Sequence, residues 1–422
     1  MKIAIIGGGS TYTPEVIEGF INNEADLGLT EVVLMDIDPE RLGIVGAFAK
    51  RMVEHAGGKF KVKTTLDRGE AIDGASFVLT QFRVGHQRAR HADIMLGLRH
   101  DLIGQETTGI GGMAKALRTI PHILDICTDI EKTAPDAWVI NFTNPAGIIT
   151  EAILNQTGVK HAIGLCNVPI EMKMVIAKHM GVEEKDVFME SVGLNHLGWV
   201  RRVEVQGVDV MPKLLEFLSS EEGPANIPDV DFAPELITSL EAVPLYYNRF
   251  FYNTPSVLAG LKAKKKSRAQ EVMDIERALL AKYQDESVVT KPEELDLRGG
   301  AYYSKIAVEV IHAVAQDTGA EHIVNTHNNG AMPDLPDNAV VEVRCKIGKD
   351  GAVTQPTAPM EPSIRGLIQV VKAYEQLVVE AAVNQSRAAA FRALITNPLG
   401  PKAENATKVL DDLLATNGLE YS

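Results

Sequence analysis

The fold of this chain is indicated first by the stretch Lys2-Ile3-Ala4-Ile5-Ile6-Gly7-Gly8-Gly9-Ser10. A short apolar run followed by glycines predicts a buried parallel strand and a turn, and Thr13-Pro14-Glu15 then opens a helix. Backbone N–H groups at such a turn can approach a pyrophosphate at the helix N-terminus. Because Tyr12 stands where the usual fingerprint has its third glycine, a purely structural tight turn remains an alternative.

An acidic residue at the end of the second predicted strand favours one dinucleotide over another. The strand spans residues 31–35, and Asp36 follows it. A carboxylate at this place accepts hydrogen bonds from both ribose hydroxyls and disfavours a 2′-phosphate, so we expect NAD rather than NADP. Asp38 competes for this role, but it can instead cap the helix that begins at Pro39. The expected cofactor contacts are Gly7, Gly9, Ser10 and Asp36.

Alternating strand and helix patterns predict an α/β fold. The apolar runs at 76–80 and 138–142 alternate with helical patterns such as 115–133, which is typical of a doubly wound parallel sheet. We therefore expect a Rossmann-type NAD-binding domain in residues 1–195. An α+β substrate, catalytic and oligomerisation domain is expected in residues 196–422, as in lactate and malate dehydrogenases. Its longer helical patterns are 263–283, 300–317, 363–393 and 403–416, with strands near 199–206 and 338–346.

Charge and cysteine content exclude several classes of partner. The 422 residues include 56 acidic and 42 basic side chains, a net charge of -14, which repels phosphate backbones and anionic lipid. We expect neither nucleic acid nor membrane as a partner, and an anionic small substrate would need a local cluster of arginines. The three cysteines are too few for a disulfide framework. With no signal-peptide pattern and no apolar stretch of about 18 residues, we expect a cytoplasmic protein.

Cys166 and His196 suggest a metal site. The apolar run 161–165 predicts a strand that ends at Cys166, where doubly wound sheets bind their ligands, and His196 follows the turn-prone residues 193–195. Taken singly, each is more often a buried core residue. Together, a thiolate and an imidazole can hold a divalent ion and leave room for two substrate oxygens.

Short motifs follow one another along nearly the whole chain. They are Gly7-Gly8-Gly9-Ser10, Gln81-Phe82-Arg83, Gly104-Gln105-Glu106-Thr107-Thr108-Gly109, Asn141-Phe142-Thr143-Asn144-Pro145, Cys166-Asn167-Val168-Pro169, Gly193-Leu194-Asn195-His196, Arg298-Gly299-Gly300, Ile323-Val324-Asn325-Thr326 and Pro398-Leu399-Gly400-Pro401. This ordered series resembles glycoside hydrolase family 4, an NAD-dependent exception to hydrolysis by two carboxylates.

The resemblance implies a reaction in which the sugar is oxidised only temporarily. Bound NAD⁺ oxidises the 3-hydroxyl to a ketone, while Mn²⁺ polarises the oxygens on C2 and C3. The ketone acidifies the C2 proton, a base removes it, and the aglycone leaves C1 by elimination. Water then adds and the stored hydride reduces C3, so no net redox occurs. The resemblance also implies a homodimer or a homotetramer.

The same resemblance assigns the metal and the base. Cys166 and His196 match the metal ligands, and a tyrosine base is expected in Tyr247-Asn248-Arg249-Phe250-Phe251. Since the ordinary pKa of tyrosine is about 10, nearby Mn²⁺ or arginine must favour the phenolate. Tyr247 is the expected base, and Tyr246 is the close alternative. Glu106, in a glycine- and threonine-rich turn, is the expected leaving-group acid, although it can equally cap the following helix.

Asn167 indicates the substrate class. In the family, aspartate after the metal-binding cysteine accompanies 6-phospho-α-glucosides, and asparagine accompanies 6-phospho-β-glucosides such as cellobiose 6-phosphate. An amide can position oxygens but cannot act as an acid, so an enzyme with Asn167 must find its acid elsewhere or rely on water. Asn144 and Asn167 are expected to contact substrate oxygens. The candidates for binding the 6-phosphate are Arg90, which matches the family best, and then Ser10, Arg83 and Arg298.

Other functions stay open at this point. An NAD-dependent dehydrogenase of the malate or lactate type shares the fold and needs no metal-binding thiolate. A 6-phospho-α-glucosidase of the same family, or a non-catalytic NAD-binding sensor with Cys166 as a redox switch, are further alternatives. The metal is also open, because a thiolate–imidazole pair usually binds Zn²⁺ more tightly than Mn²⁺. The sequence does not decide the aglycone, or glucose against galactose.

Overall fold

A computed structural model of the chain describes residues 1–219, 232–298 and 302–422. The strands, in chain order, are β1 (Lys2–Ile6), β2 (Glu31–Met35), β3 (Lys61–Thr65), β4 (Phe77–Thr80), β5 (Trp138–Asn141), β6 (His161–Gly164), β7 (Val187–Leu194), β8 (Leu197–Val205), β9 (Val208–Asp209), β10 (Val243–Pro244), β11 (Ala320–His327), β12 (Val340–Gly348) and β13 (Gly351–Thr354).

The helices surround these strands. They are α1 (Thr13–Asn22), α2 (Glu24–Leu27), α3 (Pro39–His55), α4 (Arg68–Ile72), α5 (His86–Arg99), α6 (Gly109–Thr133), α7 (Ala146–Gln156), α8 (Val168–Met180), α9 (Met211–Ser219), α10 (Pro234–Leu240), α11 (Arg249–Tyr252), α12 (Thr254–Ala263), α13 (Arg268–Gln284), α14 (Tyr303–Ala315), α15 (Pro362–Asn384), α16 (Arg387–Thr396) and α17 (Ala403–Asn417).

The main sheet confirms the predicted Rossmann architecture. Six strands lie in the order β3-β2-β1-β4-β5-β6 and all pair in parallel. This is the doubly wound dinucleotide-binding order, and the chain reverses direction across the sheet between β1 and β4. The central strands β1, β4 and β5 are almost entirely buried, because helices cover both faces of the sheet. Ligands of such a sheet bind at the carboxyl ends of the strands.

Three strands from the second half of the chain extend the same sheet. β11 pairs antiparallel with β6, where Asn325 lies opposite Gly164, and β12 and β13 follow outward. The sheet therefore contains residues from both sides of the expected division at residue 195. That division, with domains 1–195 and 196–422, stays a prediction.

A smaller antiparallel sheet contains β7, β8, β9 and β10. β7 and β8 form a hairpin whose two-residue turn is Asn195-His196. Gly193 has a φ of 140°, and a Cβ there would lie 2.2 Å from the Leu197 carbonyl oxygen. His196 itself has a φ of 63°, a conformation that is uncommon outside glycine. The hairpin thus fixes His196 at a turn, where side chains often serve a functional site.

The predicted helices need local corrections. The pattern 363–393 is two helices, because Gln385 takes a left-handed conformation and Ser386 caps α16. The pattern 263–283 begins only at Arg268, where Ser267 forms a capping box with Gln270. Gly299 and Gly300, from the Arg298 motif, and the start of the predicted helix 300–317 lie outside the described residues.

Within the described parts of the chain, no helix is long and apolar enough to cross a lipid bilayer.

Candidate active site

One large cavity of about 1250 Å³ collects most of the predicted site residues. It opens at the carboxyl ends of the parallel strands, as expected for a doubly wound sheet. The predicted residues that line it are Gly7, Gly9, Ser10, Asp36, Arg83, Arg90, Glu106, Asn144, Asn167, His196, Tyr247 and Arg298. Cys166 is only 3% exposed and borders a neighbouring cavity of about 540 Å³.

The glycine turn and Asp36 form the cofactor end of the cavity. Gly7 has a φ of 93°, and a Cβ there would lie 2.9 Å from the Phe82 backbone, so glycine is required. The Asp36 carboxylate accepts hydrogen bonds from the backbone N–H groups of Gly9 at 2.9 Å and Asp38 at 3.1 Å. Asp38 instead caps α3 by accepting from two backbone N–H groups. Asp36 lines the cavity, whereas the side chain of Asp38 is engaged in capping α3.

His196 and Tyr247 form a stacked pair. Their ring centroids are 3.7 Å apart and the planes are inclined by 8°. Tyr246 lies differently, with the Arg249 guanidinium 4.5 Å above its ring. Burial raises the pKa of Tyr247 above its ordinary value, opposed in part by Arg90. A nearby cation is therefore needed to make the Tyr247 phenolate accessible.

The residues around His196 fit a divalent ion. Burial lowers the pKa of His196 to about 3, so the imidazole is neutral, the form that binds metals. Its Nδ1 is buried without a hydrogen-bond partner in the described ranges. The Cys166 thiol lies within reach of the Asn195 side chain and the Val168 backbone N–H. Burial raises the pKa of that thiol, so a metal would have to stabilise the thiolate.

The number of protein ligands is small. Residues 1–219, 232–298 and 302–422 contain no group of three or more His, Cys, Asp or Glu side chains that could hold a metal. A soft thiol and a neutral imidazole would thus leave coordination positions for substrate or water, as in catalytic rather than structural sites.

Glu106 lies among three cations. Arg83 contacts its carboxylate at 2.5 Å, Arg90 at 2.9 Å and Lys115 at 3.1 Å. Burial alone would raise the pKa of Glu106, but these cations outweigh burial and hold the pKa well below its ordinary value. A carboxylate that stays ionised has no proton to give. The ion pairs therefore argue against the predicted role of Glu106 as the leaving-group acid.

Lys115 was not identified from the sequence. It lies on α6 with 3% of its side chain exposed, and burial lowers its pKa to about 7, followed by the effect of Arg83. Its one signal was a lone lysine in the apolar stretch 110–117, which a helix surface explains equally well.

A second carboxylate, that of Glu276, forms ion pairs with two further cations. Glu276 contacts Arg298 at 3.0 Å and Arg41 at 3.5 Å. Together, the carboxylates of Glu106 and Glu276 face five cationic side chains, an excess of three positive charges if all are ionised. Those cations are Arg41, Arg83, Arg90, Lys115 and Arg298. This excess makes the cavity attractive to anions although the whole chain is acidic.

Three of these arginines have buried N–H groups that are available to donate hydrogen bonds to a ligand. The Nη1 of Arg83 and the Nε atoms of Arg90 and Arg298 are buried without partners in the part of the chain that the structure describes. Buried guanidinium N–H groups are costly when unpaired, and they match the oxygens of a phosphate. The cavity is therefore suited to an anionic ligand.

Two amides and a further acid complete the cavity. Asn144 accepts a hydrogen bond from the Ala146 backbone N–H at 3.2 Å. Asn167, at the start of α8, donates from Nδ2 to Oε1 of Glu171. Glu171 also lines the cavity and was not identified from the sequence. Its i,i+4 spacing from Asn167 was the available signal.

A buried network supports the turn that carries His196. The Glu342 carboxylate accepts from Asn195 at 3.0 Å and from Asn325 at 2.9 Å. It thereby connects the β7–β8 turn to β11 and β12. Burial raises the pKa of Glu342 to about 7.

Comparison with known proteins identifies the family to which this chain is similar. Residues 2–182 match the family 4 glycosyl hydrolase domain, and residues 191–400 match the family 4 glycosyl hydrolase C-terminal domain. The chain is 42% identical to a probable 6-phospho-beta-glucosidase of Bacillus subtilis, over 98% of this chain and 96% of the relative. A phospho-alpha-glucosidase of Clostridium acetobutylicum is 29% identical, over 99% of this chain and 97% of that one.

Solved structures agree with this placement. The 6-phospho-beta glucosidase of Thermotoga maritima, solved with manganese, NAD⁺ and glucose-6-phosphate, superposes with a TM-score of 0.92 and 36% identity over all of both chains. The malate dehydrogenase of Aeropyrum pernix superposes with a TM-score of 0.54 and 16% identity, over 90% of this chain and 97% of that one, and shares the fold alone. The two domain matches and the identity across nearly the whole chain show that this protein belongs to glycosyl hydrolase family 4.

Proposed function

We propose that this chain hydrolyses 6-phospho-β-glucosides, such as cellobiose 6-phosphate, to glucose 6-phosphate and an aglycone, using NAD and a divalent metal. One observation carries the proposal: the stacked His196–Tyr247 pair shares a cavity with the glycine turn and with the five cations that contact Glu106 and Glu276. The relatives named above support the β-linked, phosphorylated substrate. Asn167 supports it as well, because the resemblance links asparagine at this position with β-glucosides.

Different residues of the cavity are proposed to bind the metal, the substrate and the cofactor. When bound, NAD and Mn²⁺ supply the temporary oxidation at C3 and the polarisation of the sugar oxygens. Cys166 and His196 hold the metal, and Asn144 and Asn167 orient substrate oxygens. The cofactor-binding residues are Gly7, Gly9, Ser10 and Asp36.

Tyr247 takes the C2 proton in this proposal. Its stacking on His196 places the ring beside a metal ligand, where a cation would favour the phenolate. Tyr246 lies under Arg249 instead, which favours Tyr247 as the base.

Arg90, Arg83, Arg298 and Ser10 are proposed to bind the 6-phosphate. Glu106 then serves to position Arg83 and Arg90, because it contacts both of them, and Lys115 contacts Glu106 in turn. Glu106 is thus a positioning residue in this proposal.

Arg90→Ala should weaken recognition of the phosphate. We expect the KM for p-nitrophenyl 6-phospho-β-glucoside to rise by about 10- to 100-fold, since one charge-assisted hydrogen bond is worth about 1.5–3 kcal/mol. The Kd of NAD should change little. Arg88→Ala, an exposed residue of the same helix α5, is the matched control. Equal wild-type activity on unphosphorylated cellobiose would contradict phosphate recognition.

Asp36→Asn should reduce the preference for NAD over NADP. We expect NAD affinity to fall about tenfold, because the amide loses charge-assisted acceptance from the ribose hydroxyls. Fluorescence titration with both dinucleotides measures this change. Asp38→Asn is the control: it alters the cap of α3 and should leave the dinucleotide preference unchanged. Equal effects of the two substitutions would count against Asp36.

The reaction is tested by p-nitrophenol release from p-nitrophenyl 6-phospho-β-glucoside, with and without Mn²⁺ and NAD⁺. Release that depends on both, with no net NADH, supports the hydrolase. NADH that accumulates in step with substrate loss would instead show a dehydrogenase. The α-linked p-nitrophenyl compound is assayed in parallel, and faster release from it would overturn the β assignment.

The proposal includes a homodimer or homotetramer in the cytoplasm. Exposed apolar side chains on α15 and α16, including Val370, Val383 and Ile395, support assembly with another copy. The cysteines form no disulfide within the described residues, which supports a reducing compartment.

A further inference from the structure

The carboxylates that line the cavity differ in their surroundings. Glu106 and Glu276 each contact two or more cations, and Glu271 pairs with Arg268 at 3.3 Å. Asp36 accepts from backbone N–H groups at the cofactor end. Glu171 forms no ion pair with any lysine, arginine or histidine in the described ranges, and its side chain accepts from the Asn167 amide. Away from the cofactor end, Glu171 is thus the cavity-lining carboxyl without a cationic partner among the described residues.

The buried environment of Glu171 also favours its protonated form. Burial raises the pKa of Glu171 above its ordinary value, and the hydrogen bond from Asn167 opposes this only in part. A carboxyl group with a raised pKa is better suited to general acid catalysis than one held ionised by cations.

Glu171 lies beside Asn167, where an acid is required because the Asn167 side chain cannot supply a proton. Both side chains line the cavity from the first turns of α8, four residues apart, together with His196 and Tyr247. The Asn167 amide cannot act as an acid, but it contacts Oε1 of Glu171 and leaves Oε2 to carry a proton. Glu106, the acid expected from sequence, is held ionised by its three cations.

We propose that Glu171 is the catalytic acid that protonates the departing aglycone, an inference that rests on the proposed function. As the base takes the C2 proton, the C2–H electron pair forms the C1–C2 double bond and the C1–O bond breaks. The aglycone oxygen keeps the electron pair of the broken C1–O bond and takes the proton from Glu171, which becomes a carboxylate. In the return step, water adds to C1 and gives its proton to Glu171, while C2 regains a proton from the base.

The test is Glu171→Gln against a series of 6-phospho-β-glucosides with different leaving groups. Glutamine keeps the size of the side chain and can still hydrogen-bond to Asn167. For the methyl glucoside, whose leaving group needs a proton, kcat/KM should fall by about 100-fold or more. For the 2,4-dinitrophenyl glucoside, which leaves as a stable anion, it should change by less than about twofold.

Controls separate an acid from a merely structural residue. An equal loss across the series, or no loss with the methyl glucoside, would overturn the role. Glu171→Ala with added formate is the second variant, and formate should restore turnover of the methyl glucoside only. Glu183→Gln, on the surface just beyond α8, should behave as wild type across the series. If the wild type hydrolysed none of the glucosides, the proposed function itself would fail.

Discussion

Cys166→Ser is expected to abolish tight Mn²⁺ binding and to lower hydrolysis by about 1000-fold, since a metal's electrostatic contribution is worth several kcal/mol. A serine hydroxyl has a far higher pKa than a thiol, so it does not supply the anionic soft ligand that the proposed site requires. With one of two proposed protein ligands lost, His196 alone would have to hold the ion. Equilibrium dialysis with Mn²⁺ measures binding independently of turnover, under reducing conditions.

Cys127→Ser is the matched control for this change. Cys127 lies in α6, is as fully buried as Cys166, and is separate from the active-site cavity. It should lose stability through the buried hydroxyl, while Mn²⁺ affinity and kcat/KM stay near wild type. Retained turnover in Cys166→Ser would argue against the metal role.

Tyr247→Phe should lower kcat by about 100- to 10 000-fold, the usual range for removing a general base. Phenylalanine keeps the ring that stacks on His196, so Mn²⁺ and NAD affinities should change little. The direct readout is the C2 position of glucose 6-phosphate. In D₂O the wild type should place deuterium there, and Tyr247→Phe should lose this incorporation together with kcat.

Tyr246→Phe decides between the two adjacent tyrosines. Its ring can keep its place under the Arg249 guanidinium, so folding should be unaffected. We expect a much smaller loss of kcat than for Tyr247→Phe. The reverse order would identify Tyr246 as the base.

The fold was predictable because its signals are local. The glycine turn, the apolar runs and their spacing specify parallel strands, and the order β3-β2-β1-β4-β5-β6 confirms that reading. The pairing of β11 with β6 was not predictable in the same way. Residues 320–327 form a partly exposed strand, and its partner is set by packing across the molecule rather than by neighbouring residues.

The candidate site was likewise predictable where it depends on local motifs, and not where it depends on contacts between distant elements. Residues that belong to sequence motifs, such as His196 and Asn167, do meet in one cavity. The pKa shifts of Glu106 and Glu171 could not be predicted, because they depend on burial in the folded chain and, for Glu106, on cations from other elements. Lys115 on α6 and Arg90 on α5 reach Glu106 only after the chain has folded. Sequence patterns thus located Glu106 but not Glu171, and they did not reveal that the pKa of Glu106 is lowered while that of Glu171 is raised.

The pairing of Asn325 with Gly164 also sets a delay during translation. The Asn325 side chain donates to the Gly164 carbonyl oxygen across 161 residues of sequence. At about 5–20 residues per second, the ribosome needs roughly 8–32 s to make the intervening chain. Throughout that interval β6 presents an open edge, which is a template for pairing with other chains. We therefore expect this edge to be a site of aggregation until residue 325 emerges.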